Sequence, residues 1–151
     1  MGTASVRPAL AYVDTSAWIA LLAREPAGPK VARWLARAGR VATSQWTPVE
    51  VASALGIKVR RGDIDADTGR RLVEAFDELH ASNGVEALHV AAADFGTAAA
   101  LCERFASGLR AGDALHLAVA HRCACSSFYT LDRNLYRNAA LAGLAALPRT
   151  I

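Results

Sequence analysis

Short apolar runs rich in aromatic and β-branched residues recur along this chain, each followed by a stretch with helical spacing, and this alternation is the tightest constraint on its fold. Leu10–Val13 meets polar Asp14-Thr15-Ser16 and then a helical stretch over 17–24. The segment Glu25-Pro26-Ala27-Gly28-Pro29 breaks the pattern. Val31, Trp34, Leu35 and Ala38 then repeat at helical spacing, opposite Lys30, Arg33 and Arg37, as far as Gly39. Residues 41–43 read as a second strand. Thr47-Pro48-Val49-Glu50 predicts a helix opened by a capping box, with proline at its first position, running to Arg61 and stopping at Gly62. Leu72, Val73, Phe76 and Leu79 give one face of a further helix. Residues 85–90 read as a strand and 91–105 as a helix interrupted at Gly96. From Gly112-Asp113 through Ala120 runs a helix so apolar that it must be buried. A strand over 128–131, a helix capped by Asp132 and a last short strand from Leu144 complete the chain. Such alternation implies a parallel sheet covered on both faces, a three-layer α/β/α sandwich.

At 151 residues the chain fits one domain, 1–151, large enough to bury roughly two-thirds of its unfolded surface. Its apolar content is 53%, and 34 alanines supply much of it, which favours helices and excludes an all-β or disordered chain. The balance of 17 bases to 14 acids, with fifteen of the bases arginine, permits a nucleic-acid partner without indicating one. Cys102, Cys123 and Cys125 fit neither a disulfide framework nor a zinc site and read as reduced thiols. No basic segment followed by an apolar one opens the chain, and its longest uncharged apolar stretch, 139–147, is far short of the ~20 residues a membrane helix needs. A soluble, cytoplasmic protein with no membrane partner is expected.

The acids are placed unusually. Asp14 and Asp132 each follow a strand, where ligands bind in parallel α/β sheets. Asp113 and Glu50 each fall in the first turn of a helix, and Glu50 shares its stripe with Ala54 and Ile57. Each has a structural reading as a cap or a first-turn acid favoured by the helix dipole. Four acids drawn from separate segments toward one cleft would instead need cations to offset their repulsion. Carboxylates suit Mg²⁺ or Mn²⁺, which could hold a phosphodiester and lower the pKa of a bound water.

At these residues the chain resembles the PIN-domain ribonucleases, and among them the VapC-type toxins of bacterial toxin–antitoxin pairs. The resemblance runs from Tyr12-Val13-Asp14-Thr15-Ser16-Ala17, through Thr47-Pro48-Val49-Glu50 and Arg110-Ala111-Gly112-Asp113-Ala114-Leu115-His116, to Thr130-Leu131-Asp132-Arg133. It implies a compact PIN-like domain that cuts RNA with Mg²⁺ or Mn²⁺. Asp14, Glu50, Asp113 and Asp132 match the family's acidic quartet. Asp14 and Asp113 match its direct metal ligands; Glu50 and Asp132 match positions acting through water. Ser16 and Thr130 match hydroxyls beside the quartet. The resemblance also implies a VapB-like antitoxin as partner and a homodimer.

Other groups read more plainly. His116 shares a helical face with Asp113 but completes no zinc site, so it reads as a packed or hydrogen-bonded histidine. Lys58, Arg60 and Arg61 read as a solvated helix end. Arg110, Arg133 and Arg137 flank the acid motifs and suit RNA phosphates. Trp18 and Trp34 read as core or dimer surface, and Trp46 as a hydrophobic staple. Two other functions fit less well. A haloacid-dehalogenase-type phosphatase would place a second acid two residues after Asp14, where Ser16 stands. A non-catalytic RNA- or partner-binding module would not require an intact quartet.

Overall fold

The computed structural model describes residues 9–82 and 84–149. Five strands form one sheet: β1 (Leu10–Val13), β2 (Arg40–Ser44), β3 (Glu86–Leu88), β4 (Ser127–Tyr129) and β5 (Ala145–Leu147), in the order β3-β2-β1-β4-β5. Every neighbouring pair is parallel. The helices are α1 (Thr15–Leu22), α2 (Gly28–Leu35), α3 (Thr47–Arg61), α4 (Ala66–Ala81), α5 (Ala92–Cys102), α6 (Ala111–Arg122) and α7 (Arg133–Leu141), with a 3₁₀ turn over Phe105–Ser107. The chain winds outward from β1 in one direction and from β4 in the other. The boundary between these two strands is therefore the point where strand order reverses, and in such sheets ligands bind outside the strands' carboxyl ends at that point.

Successive strand residues point to opposite faces, and the sheet sorts its apolar side chains accordingly. Tyr12, Ala42 and Phe128 face a core completed by Leu117, Val119 and Ala120 of α6 and Leu135 and Ala139 of α7. Val13, Val41 and Tyr129 face the other core, with Trp18 of α1, Val31 of α2, Val51 and Leu55 of α3 and Phe76 of α4. The result is the three-layer α/β/α sandwich expected from the alternation. Tyr12 stacks on Phe128 with ring centroids 5.1 Å apart, and Trp18 meets Phe76 edge-on at 6.0 Å. Trp34 lies against Tyr129 at 4.4 Å, so Trp18 and Trp34 are both core contacts. Burying a side chain of this size contributes roughly 1.5–3 kcal/mol.

The nearly all-apolar helix is α6, buried continuously from Ala114 to Ala120. The stop at Gly62 is also as expected. Its φ of 78° lets the chain turn left-handed, so that its N–H bonds to Val59 O at 3.0 Å and Asp63 N–H to Lys58 O at 2.9 Å.

Three local expectations need correction. The capping box does not form, because α3 begins one residue earlier than a Thr47 cap requires, with Trp46 at the cap position. Thr47 Oγ1 instead pairs with Thr43 Oγ1 at 2.6 Å and accepts from Ser44 N–H, inside the fold. Gly96 does not interrupt α5; an exposed glycine weakens a helix by about 1 kcal/mol relative to alanine without ending it. Trp46 does not staple its own helix but packs against Ala98, Ala114 and Leu115 of α5 and α6. Boundaries shift elsewhere too: α1 starts at Thr15, β3 is confined to Glu86–Leu88 and β4 ends at Tyr129. The cysteines are unbridged, Cys125 being buried.

Candidate functional site

Asp14 and Thr130 stand side by side just past the ends of β1 and β4. The main chain fixes them there: Asp14 N–H donates to Tyr129 O at 3.1 Å, and Thr130 N–H to Leu147 O at 2.9 Å. The Asp14 carboxylate is 3% exposed and accepts two hydroxyls, Ser16 Oγ–H at 2.6 Å on Oδ1 and Thr130 Oγ1–H at 3.1 Å on Oδ2. Each hydroxyl oxygen is itself fed by a backbone amide, Ser16 Oγ by Leu131 N–H at 2.8 Å and Thr130 Oγ1 by Asp132 N–H at 3.0 Å. Those amides occupy the hydroxyl lone pairs and aim the protons at Asp14. Ser16 and Thr130 thus join the Asp14 carboxylate to the turn that carries Asp132.

Burial pushes the Asp14 carboxyl up to about 6, although His116 and the two hydroxyls pull it back. Asp113, half-buried in the first turn of α6, is also raised. Burial is the first cause, and the charges of Asp132 and Glu50 add to it, against His116 and Arg110. The carboxylates of Glu50 on α3 and of Asp132 before α7 are thus within electrostatic reach of Asp113 on α6. Asp132 additionally caps α7, Oδ1 accepting Leu135 N–H at 2.7 Å.

Glu50 leaves its own helix end and reaches across to α1 and α6. Its Oε2 accepts Thr15 Oγ1–H at 2.6 Å and bonds His116 Nε2. Burial pushes Glu50 up, but His116 and Thr15 outweigh it and hold the carboxyl below its usual range. His116 is 1% exposed, and its Nδ1 meets Tyr12 Oη at 2.6 Å. Burial keeps the Tyr12 phenol protonated on the Nδ1 side of the ring, while Nε2 faces Glu50. Space at the crossing is provided by Gly112, where a Cβ would collide with Glu50 Oε1 and sit 3.2 Å from Trp46 Nε1.

Of the four acids named from sequence, Asp113 lies within electrostatic reach of Asp132 and Glu50, and Asp14 is buried just past β1 with Ser16 and Thr130 beside it. Among the described residues no three acid, histidine or cysteine side chains are already grouped so as to hold a metal ion by themselves. Mg²⁺ does not require such a group, because it keeps several waters and binds through one or two carboxylates plus substrate phosphates. The all-oxygen donors and the mutual repulsion recorded at Asp113 fit such an ion. Arg110 sits at the cap of α6 within electrostatic reach of Asp113; Arg133 and Arg137 lie one turn apart on α7. Lys58 is ion-paired with Glu25 at 2.7 Å. Sequence reasoning missed Tyr12, Thr15 and Gly112, whose partners are distant in the chain. It also missed Asp94, buried on α5 and gripped by Arg122 of α6 at 2.8 Å. A buried acid on a helix one turn from solvent-facing neighbours carries no signal until its partner is known.

The PIN domain profile matches residues 11–141, and the chain belongs to that family. No curated protein matches it. Among solved structures it is similar to VapC20 of Mycobacterium tuberculosis, described as a Sarcin-Ricin loop cleaving toxin, with 24% identity, 91% of this chain and 98% of that one covered, and a TM-score of 0.71. PAE2754 of Pyrobaculum aerophilum has 20% identity, with 95% and 89% covered, at 0.65. The FitAcB structure of Neisseria gonorrhoeae has 16% identity, with 91% and 96% covered, at 0.64. Among the described residues no helix is long and apolar enough to cross a membrane.

Proposed function

We propose that this chain is a Mg²⁺- or Mn²⁺-dependent endoribonuclease, the VapC-type toxin of a toxin–antitoxin pair acting in the cytoplasm. The observation that carries the reading is the electrostatic reach of Asp132 and Glu50 to Asp113, with the buried Asp14 tied through Thr130 to the turn that carries Asp132, at the switch point of a parallel sheet. Acids held against their own repulsion have a purpose when a cation and a phosphodiester join them. The ion, when bound, supplies Lewis acidity and a water of lowered pKa.

The chain's own residues prepare the rest. Asp14 and Asp113 would hold the ion directly, the first positioned by Ser16 and Thr130. Glu50, kept ionised and oriented by His116 and Thr15, would act through a water, and Asp132 likewise. Arg110, Arg133 and Arg137 offer bidentate contacts to backbone phosphates. The likeness to VapC20, a Sarcin-Ricin loop cleaving toxin, supports RNA as substrate. The likeness to a toxin–antitoxin complex from Klebsiella pneumoniae supports an antitoxin partner, and we include the homodimer in the proposal.

Incubation of the purified chain with total RNA tests this. Discrete cleavage products with Mg²⁺ or Mn²⁺, absent with EDTA, are expected. Intact RNA under both metals, across folded and loop-rich substrates, would overturn the reading in favour of a non-catalytic binding module.

A further inference from the structure

A pocket of about 280 Å³ opens immediately beyond Asp132, lined by Arg133, Tyr136, Arg137 and Arg149. Arg133 is the first residue of α7 and Arg137 lies one turn later. Arg149 comes from elsewhere, two residues past the end of β5. That strand end is bonded to the site itself, Leu147 O accepting the amide of Thr130 at 2.9 Å. The pocket therefore lies toward the same carboxyl edge of the sheet as Asp14, next to the turn that carries Asp132.

Its charges are unfavourable as they stand. Like charges one turn apart on a helix repel, and the positive end of the α7 dipole disfavours a cation at the first position. Elsewhere the chain pairs its bases with carboxylates: Arg40 with Glu86 at 2.7 Å, Lys58 with Glu25 at 2.7 Å and Arg122 with Asp94 at 2.8 Å. Among the described residues, Arg133, Arg137 and Arg149 have no carboxylate within salt-bridge distance. Arg137 donates only to the neutral amide oxygen of Asn134, at 3.1 Å.

We propose that this pocket holds one non-scissile backbone phosphate of the RNA, with Arg149 and Tyr136 as contacts additional to the two α7 arginines. The inference rests on the ribonuclease reading. A strand laid over Asp14 and Asp113 reaches the pocket along the same edge, and three guanidiniums there offset the repulsion between its phosphates and the acid cluster. Arg149 closes the pocket from a second element, which fixes where the phosphate sits as well as attracting it.

The test is fluorescence anisotropy with a labelled, mixed-sequence single-stranded RNA twelve nucleotides long, in the Asp113→Asn background, across a salt series. Arg149→Ala is expected to weaken binding about tenfold at low salt and to lower the log–log salt slope by about 0.7, the loss of one phosphate contact. Arg70→Ala, on α4, is the control and leaves both unchanged. An Arg149→Ala slope equal to the parent's, with RNA still bound, overturns the pocket while the nuclease reading stands. An acidic protein segment as the true occupant gives that same result. Failure of the parent itself to bind RNA overturns both.

Discussion

His116 Nε2 and Glu50 Oε2 are hydrogen-bonded across 66 residues of sequence, and Tyr12 Oη closes the chain from the other side of the imidazole at 2.6 Å. A histidine in the buried helix thus couples the sheet core to a site carboxylate. Replacing His116 by leucine removes the imidazole from between Tyr12, which keeps Ser44 and Thr47 as partners, and Glu50, which is released. We expect a loss of about 2 kcal/mol in urea denaturation, the cost of breaking two hydrogen bonds to partly or fully buried groups. Tyr12→Phe together with His116→Leu should cost less than the sum of the two single changes. Additive losses would contradict the coupling.

Gly112 is where α6 lets Glu50 pass. Alanine there places a methyl against Glu50 Oε1, and the carboxylate must move away from Thr15 and His116. Gly112→Ala is therefore expected to lower the cleavage kcat at least tenfold with an unchanged circular dichroism spectrum. Wild-type kcat in this variant would show that the position of Glu50 is immaterial.

Asp14 makes stability depend on pH in a direction opposite to most acids. Its carboxyl rises from 3.8 to about 6 on folding, so between roughly pH 4 and 6 the native chain binds more protons than the unfolded one. Its contribution to unfolding free energy therefore falls as pH rises through that window and is flat above it. Glu50 and Asp94, both held below their usual range, act in the reverse sense and lose stability in acid. In divalent-free buffer, Asp14→Asn should be more stable than the parent at pH 7.5, by about 2–3 kcal/mol at 1.36 kcal/mol per unit, and converge with it near pH 4. Parallel curves for parent and variant would refute the burial account.

Asp94 pins α5 to α6 without touching the site. Its Oδ2 accepts Ala91 N–H at 2.8 Å while Arg122 grips both oxygens. Asp94→Ala is expected to cost about 2 kcal/mol in chemical denaturation, with RNA cleavage per folded molecule unaltered. Lost activity at full folding would place α5 in the chemistry.

The alternation of strand and helix, both cores and the edge on which the acids lie were legible because they follow from local periodicity and from the geometry of parallel sheets. Asp14 and Asp132 could be placed because a strand end fixes them. Glu50 was expected both as a site acid and as half of a capping box, and the box does not form. The same Thr-Pro-Val-Glu pattern serves a capping box or, as here, a threonine buried against Thr43 and a glutamate pulled away by His116. Which of these wins depends on a helix more than fifty residues later. Tyr12, Thr15 and Gly112 were hidden for the same reason, since each acts through a partner that only the tertiary fold supplies. Arg149 belongs to α7's pocket by strand β5 alone, with nothing in its neighbourhood to announce it.

The central claim is that the quartet holds a divalent cation for RNA cleavage, and Asp113→Asn tests it most directly. Burial and the charges of Asp132 and Glu50 raise the Asp113 carboxyl, and asparagine keeps its shape while removing a charge. Cleavage of RNA by parent and variant, measured over a Mg²⁺ and Mn²⁺ titration on samples matched for folded content, is the decisive measurement. The account predicts metal-dependent cleavage by the parent and a loss of at least a hundredfold in the variant. An Asp113→Asn protein that cuts RNA at the parent's rate, with the same metal dependence, would contradict it.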